Sequence, residues 1–131
     1  MSGKIGLGEV MPFIKMPRFP KREIQFKRRG YNGFSMRMNR IYLRMLVLKG
    51  TDCVACGIKG EYFLMERVID HHRPRRWHLH LYGTDANGNE VMITKDHIIP
   101  KSKGGEHNMK NLQPMCEKCN TDKGDEMPKS L

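Results

Sequence analysis

The sequence predicts a small α+β domain, on the evidence of its length, its mixture of helical and alternating patterns, and its two pairs of closely spaced cysteines. A chain of 131 residues fits one compact domain with an extension. A domain of this size buries a modest core, so a bound metal or a partner would add to its stability. The hydrophobic content of 38% is below the average for globular proteins, which also indicates a modest core.

The chain is expected to have an irregular first part and a folded second part, with the boundary between residues 38 and 39. The first part, residues 1 to 38, is predicted to be a basic, irregular arm that binds nucleic acid. Pro12, Pro17 and Pro20 disfavour helix there. Aromatic residues alternate with cations, and their rings could stack on bases or anchor the arm to the core. The candidates for phosphate contact are Lys21, Arg22, Lys27, Arg28 and Arg29.

Residues 39 to 131 are predicted to form the folded domain. Residues 39 to 49 have the pattern of a short helix, with Asn39 as its N-cap and Gly50 as its stop. A second short helix is predicted over residues 117 to 123. Alternating or apolar patterns predict strands over four segments, which are residues 61–70, 77–82, 90–98 and 112–115.

The positive charge of the chain is concentrated in its first 50 residues. This region has 12 Lys and Arg residues but only two acids, Glu9 and Glu23. Residues 51–131 have 12 basic and 12 acidic residues, so the first 50 residues account for the whole net charge of +10. A segregated cationic region favours a polyanionic partner, which is DNA, RNA or an acidic membrane surface.

Neither a membrane span nor a signal peptide is predicted. No stretch approaches the length of about 18 consecutive apolar residues that indicates a spanning helix. The segment from Met1 to Leu7 lacks the apolar core of a signal peptide. The sequence therefore predicts a cytosolic or nuclear protein, in which four cysteines indicate metal binding more often than disulfides.

Two Cys-x-x-Cys pairs predict a zinc site. They are Cys53 with Cys56 and Cys116 with Cys119, and 59 residues lie between the pairs. A two-residue gap lets both thiolates of a turn reach one metal, and two such turns complete a tetrahedral zinc site. Four thiolates leave no open position for substrate, so this zinc would be structural. The alternative is two unrelated redox or free thiol pairs.

A series of linked motifs follows between residues 95 and 124. It starts with Asp96-His97, continues through a Pro and Gly-Gly loop and Asn-Leu-Gln-Pro, and ends with Cys119-Asn120 and Lys123-Gly124. Together these motifs resemble the HNH endonucleases, the ββα-metal or His-Me finger nucleases. The resemblance covers about residues 50 to 124 and implies a ββα-metal motif and metal-dependent cleavage of DNA. Residues 1 to about 40 have no part in it.

The side chains of these motifs suit phosphodiester hydrolysis. A neutral His can take a proton from water near pH 7, and a hard divalent cation on oxygen ligands can neutralise the scissile phosphate. The resemblance implies His97 as general base, Asp96 and Asn120 as metal ligands, and Asn111 as the residue that steadies the loop and orients the base. Many family members have His in place of Asn120. Because an amide oxygen is the harder ligand, Mg²⁺ or Mn²⁺ is expected.

Neighbouring residues on a strand point to opposite faces, so Asp96 and His97 would diverge unless the strand bends or ends there. Ile99-Pro100 and the following glycines allow a bend, and the resemblance implies convergence. His107 is a second candidate for the base. His78 and His80 share a strand face, but with no evident acidic or cysteine partner we expect packing or surface roles. Further candidates for phosphate contact, weighed against solvated charges, are Lys101, Lys103 and Lys123.

The sequence as a whole favours an endonuclease that nicks or cuts DNA. One alternative is a non-catalytic zinc-stabilised DNA-binding module, and another is an RNA-directed or ribosome-associated zinc protein, which leaves Asp96-His97 unexplained. The small size resembles free-standing phage-type HNH proteins, which implies the cytoplasm of a bacterial or phage-infected cell. A homodimer or a larger phage or host complex stays open.

Overall fold

The computed structural model has an α+β architecture, as the sequence predicts. A five-stranded antiparallel sheet has the strand order β1-β4-β5-β6-β7, and β2 and β3 form a separate two-stranded sheet. The residues that the structure describes are 3–14, 23–28, 31–37, 40–68 and 76–128. The strands are β1 (Lys4–Gly6), β2 (Glu23–Arg28), β3 (Tyr31–Arg37), β4 (Tyr62–Val68), β5 (Arg76–Thr84), β6 (Glu90–His97) and β7 (Leu112–Cys116). The helices are α1 (Leu7–Val10), α2 (Ile41–Lys49) and α3 (Glu117–Lys123).

The predicted elements of the C-terminal part are confirmed. The four predicted strands correspond to β4 to β7, and the second predicted helix is α3. The first predicted helix is α2, which begins at Ile41, after Arg40 in an extended conformation. Gly50 ends it with a φ of 107°, a left-handed conformation that glycine adopts without strain. The predicted N-cap, Asn39, lies outside the described residues.

The prediction of irregular structure over residues 1 to 38 is wrong for much of that segment. β1 pairs antiparallel with β4, with Ile5 opposite Phe63. Ile5, Val10 and Ile14 belong to the buried core. Further along, β2 and β3 form an antiparallel hairpin. The candidates Lys27 and Arg28 are on β2, where only the backbone is described, and three others lie outside the described residues: Lys21, Arg22 and Arg29.

The core lies between one face of the large sheet and α2. On the sheet side, Phe63, Leu81 and Ile93 are fully buried. On the helix side, Leu43, Met45 and Leu46 pack into the same cluster, which gives α2 the apolar stripe that a nine-residue helix needs for stability. In the part of the chain that the structure describes, no helix combines the length and apolar character required to cross a membrane.

A tyrosine hydroxyl stands between β5 and β6 at the point where their pairing stops. The register runs from Thr84 opposite Glu90 to Leu81 opposite Ile93. There the hydroxyl of Tyr42, on α2, donates to the carbonyl of Ile93 at 2.6 Å and accepts from the N–H of Leu81 at 2.8 Å. The inserted hydroxyl satisfies both strands while holding them apart, so among the described strands the last residues of β6 pair only with β7.

We expect Tyr42→Phe to lower the free energy of unfolding by about 1–3 kcal/mol, because a buried N–H and a buried C=O lose their partner. Urea denaturation followed by circular dichroism measures this change. Tyr62→Phe is the matched control, since its hydroxyl bonds to the exposed Glu90 and water can replace it. An equal loss in the two variants would contradict the bridging role of Tyr42.

Candidate active site

A pocket of about 230 Å³ lies at the end of β6, beside α3. It brings together three of the predicted site residues, Asp96, His97 and Asn120, with Lys101 as a fourth. The remaining lining residues are Lys95, Pro100 and Gly124. Among the residues that the structure describes, the pairing of β5 with β6 ends at Ile93, so the strand edge has no described partner beyond it. Side chains from both of its faces can therefore reach one pocket.

Asp96 is the buried carboxylate of the pocket, with 4% of its surface exposed. The side-chain amide of Gln113, which lies opposite it on β7, donates to Oδ2 at 2.9 Å. The ammonium of Lys123 lies 3.4 Å from Oδ1. A buried charge needs such compensation, because an unpaired ionised carboxylate is costly to remove from water.

His97 lies next to a second histidine. Its Nε2 is 3.0 Å from Nδ1 of His107, and the ring centroids are 5.2 Å apart. Burial, followed by the positive charge of Lys101, lowers the pKa of His97, and the charge of Asp96 only partly opposes this effect. His97 is therefore neutral, and able to accept a proton, over a wider pH range than an ordinary histidine.

Asn111 holds the loop that follows β6. Its Oδ1 accepts from the N–H of Ile99 at 2.8 Å, and its Nδ2 donates to the carbonyls of Ile99 and Glu106 at 3.0 and 2.8 Å. Gly105 lies against this contact, and a Cβ there would be 1.7 Å from the oxygen of Ile99. The loop can therefore close only if residue 105 is a glycine. Asn111 joins the start of the loop, at Ile99, to its later part, at Glu106.

Asn120 is oriented by a chain of two hydrogen bonds. Its Nδ2 donates to Oγ1 of Thr94 at 2.8 Å, and that hydroxyl donates to the carbonyl of Met115 at 2.6 Å. With the amide nitrogen engaged, Oδ1 is the atom left to act as an acceptor or a ligand. Thr94 and Asp96 are two residues apart on β6, so both lie on the face that α3 covers.

The three lysines of the C-terminal part that are predicted to contact phosphate differ in their positions. Lys101 is exposed and lines the pocket, whereas Lys103 is exposed outside its lining. Lys123 points inward: its ammonium donates to the carbonyl of His97 at 3.0 Å and approaches Asp96, and its side chain is 16% exposed. Lys123 therefore fastens α3 to the end of β6.

The four cysteines form one cluster, positioned to hold a metal ion. Their sulfur atoms all lie within 4.8 Å of one another, and Cys56 Sγ is 3.8 Å from Cys116 Sγ. Backbone N–H groups point at the sulfurs at each turn, from Cys56 to Cys53 at 3.4 Å and from Cys119 to Cys116 at 3.5 Å. Burial alone would raise the pKa of Cys53, but hydrogen bonds from the backbone N–H groups of Cys56, Cys116 and Ala55 and from the Cys56 side chain outweigh it and lower the pKa to about 6.

Several residues of the site have no motif that identifies them in the sequence. Gln113 is recognised as a partner of Asp96 only once the register of β6 and β7 is known. The sequence offers no evident acidic partner for His80, but the structure places its Nδ1 2.9 Å from Oε1 of Glu66, on β4. His78 stacks on His80 with 6.2 Å between ring centroids. A period of two along β5 indicated the shared face but not the strand beside it.

The comparison with protein families agrees with this geometry. Residues 85–131 match the family model described as HNH endonuclease. This segment of the chain is therefore similar to the HNH endonucleases. The matched segment contains β6, β7 and α3, with Asp96, His97, Asn111 and Asn120, but not the turn at Cys53. No curated protein and no solved structure matches the chain.

The family resemblance found in the sequence is thereby confirmed. HNH endonucleases are metal-dependent nucleases, so the family indicates a nuclease-type enzyme with a nucleic-acid substrate. The four cysteines, which are positioned to hold a metal ion, include two that lie outside the matched segment.

We expect His97 to titrate below the usual histidine value in the protein without added divalent metal. Lys101→Gln should raise the pKa of His97, since it removes a positive charge that disfavours the protonated ring. Proton–carbon NMR of the ring signals across a pH series measures both effects. Lys49→Gln, on the exposed end of α2, is the control. A His97 pKa that does not change in Lys101→Gln would contradict this electrostatic account.

Proposed function

We propose that this protein is a metal-dependent HNH endonuclease that hydrolyses phosphodiester bonds of DNA, by nicking or by double-strand cleavage. The observation that supports it most is the convergence of Asp96, His97 and Asn120 on one pocket within the segment that matches the HNH family. In this proposal β6, β7 and α3 form the ββα-metal motif. Residues 39–131 are the nuclease domain, and the basic residues 1–38 contribute nucleic-acid binding.

The donor atoms of the pocket suit a hard divalent cation. Asp96 offers a carboxylate oxygen and Asn120 an amide oxygen whose nitrogen is already engaged. Oxygen ligands of this kind favour Mg²⁺ or Mn²⁺ over a softer metal. When bound, the ion supplies charge neutralisation at the scissile phosphate and at the leaving oxygen.

His97 provides the general base. Its neutral ring accepts a proton from a water molecule, the water oxygen forms a bond to phosphorus, and the bond from phosphorus to the 3′ oxygen breaks. The leaving oxygen takes up a proton, so the products are a phosphate monoester and a hydroxyl. His107, 3.0 Å from Nε2, orients the ring and can share the proton that His97 receives. Asn111 keeps the following loop, and with it the backbone of His97, in place.

The cysteine cluster suits structural zinc. Zinc–sulfur bonds of about 2.3 Å in a tetrahedron place the sulfur atoms about 3.8 Å apart, and the distance between Cys56 and Cys116 is 3.8 Å. Four thiolates complete the coordination shell, so this ion has no open position for substrate. Its effect on catalysis is indirect, because Asn120 directly follows Cys119.

Cleavage of supercoiled plasmid DNA tests the catalytic part of the proposal. We expect nicking or linearisation with Mg²⁺ or Mn²⁺ and none without added metal. His97→Ala should reduce the rate by about 10²–10⁴-fold, the usual contribution of a general base. Gel electrophoresis of time courses measures the rates.

The matched control is His78→Ala, since His78 lies on β5 outside the lining of the pocket. It should cleave at close to the wild-type rate once circular dichroism has shown that it is folded. No cleavage by a folded wild-type protein, or equal loss in the two histidine variants, would overturn the assignment of His97 and favour the non-catalytic binding module.

Metal analysis tests the zinc site. Purified wild-type protein should contain about one zinc ion per chain, and Cys116→Ser should lose zinc, thermal stability and plasmid cleavage together. Inductively coupled plasma mass spectrometry and thermal denaturation measure the first two. Lys118→Ala is the control, because its exposed side chain lies between two of the cysteines without offering a thiolate. A zinc-free wild-type protein of unchanged stability would contradict the site.

A further inference from the structure

Lys95 is a half-buried cation in the wall of the pocket. It is on β6, two residues before His97, so both side chains leave the same face of the strand. Strand geometry places their Cα atoms about 6.6 Å apart. The opposite face holds Asp96, which is engaged by Lys123 and Gln113.

A lysine in such a position normally has an acidic partner, since half-burying an ammonium has a desolvation cost. Within the described part of the chain, Lys95 forms no ion pair and no side-chain hydrogen bond. On β4, Glu66 already accepts a hydrogen bond from Tyr82 and pairs with His80. The sequence neighbour Asp96 is compensated on the other face.

Instead, the surroundings of Lys95 are cationic. Burial and the charges of Arg40 and Lys101 lower the pKa of Lys95. Burial, with the charges of Lys95 and Lys101, lowers the pKa of His107. Arg40 is held in place, because its guanidinium donates to the carbonyl of Leu79 at 3.3 Å. The result is a positive track from Lys101 through Lys95 to Arg40, beside the open edge of β6.

We propose that Lys95 binds a backbone phosphate next to the scissile one, with Arg40 and Lys101 supplying the surrounding positive field. A phosphodiester group is the ligand that this arrangement lacks: it brings the negative charge that the cluster does not find within the described residues. The proposal rests on the proposed function, because the ligand is a segment of the nucleic acid that the pocket would cut.

The salt dependence of DNA binding tests it. In a His97→Ala background without Mg²⁺ or Mn²⁺, fluorescence anisotropy with a labelled duplex gives the affinity at several salt concentrations. Lys95→Gln should weaken binding and reduce the slope of log K against log salt by about 0.9, the value for one phosphate contact. Lys95→Arg should retain most of the DNA affinity and most of the slope. Lys49→Gln, with an equal loss of charge at an exposed site outside the pocket, should leave the slope unchanged.

Thermal denaturation separates a binding role from a structural one. Because Lys95→Gln removes repulsion and breaks no described ion pair, its melting temperature should equal or exceed that of the parent. A lower melting temperature, or a slope equal to that of Lys49→Gln, overturns the proposal.

The binding measurement tests the phosphate site independently of DNA cleavage. If wild type cuts no DNA but Lys95→Gln still reduces the slope, the nuclease proposal fails and the phosphate site stands. If wild type cuts DNA and the slope is unchanged, the phosphate site alone fails.

Discussion

The position of α3 depends on the cluster of four cysteine sulfurs at its first turn. The helix has seven residues and buries none of them in the core, so neither its length nor apolar packing would keep it folded. Cys116 caps the helix, and the cluster brings the helix next to the turn at Cys53 and Cys56. A backbone hydrogen bond from Val54 to the carbonyl of Pro114, at 3.0 Å, joins the same two segments. This contact at the first turn and the hydrogen bonds of Asn120 and Lys123 to β6 together position what α3 contributes to the pocket.

A second constraint operates from the other side of the site. The hydroxyl of Tyr42 holds β5 away from β6 just before Thr94. The strand edge that this leaves beside β6 explains how Asp96 and His97 line one pocket although they lie on opposite faces of the strand. Had the pairing continued, β5 would have covered the edge, and the carboxylate and the imidazole would have been separated by the sheet. The core packing of α2 and the access to the pocket therefore depend on the same side chain.

The sequence predicts what is encoded locally and misses what depends on long-range pairing. The Cys-x-x-Cys turns, the strand ending at His97 and the stop at Gly50 can all be recognised within a few residues. β1 could not be recognised, because it has three residues with one fully buried side chain, Ile5, and becomes a strand only by pairing with β4 some 58 residues later. The partnerships of Gln113 with Asp96 and of Glu66 with His80 likewise require the strand register.

The lysines of the site illustrate this limit most clearly, since the sequence offers the same reason to assign each of them to phosphate. The structure separates them by strand face and by partner. Lys123 comes from α3 and meets a buried carboxylate and a carbonyl oxygen, so its charge is used within the fold. Lys95 comes from the opposite face of β6 and meets other cations. A positive charge that the fold compensates stabilises the fold, whereas one beside the candidate active site without a described partner favours an anion from outside.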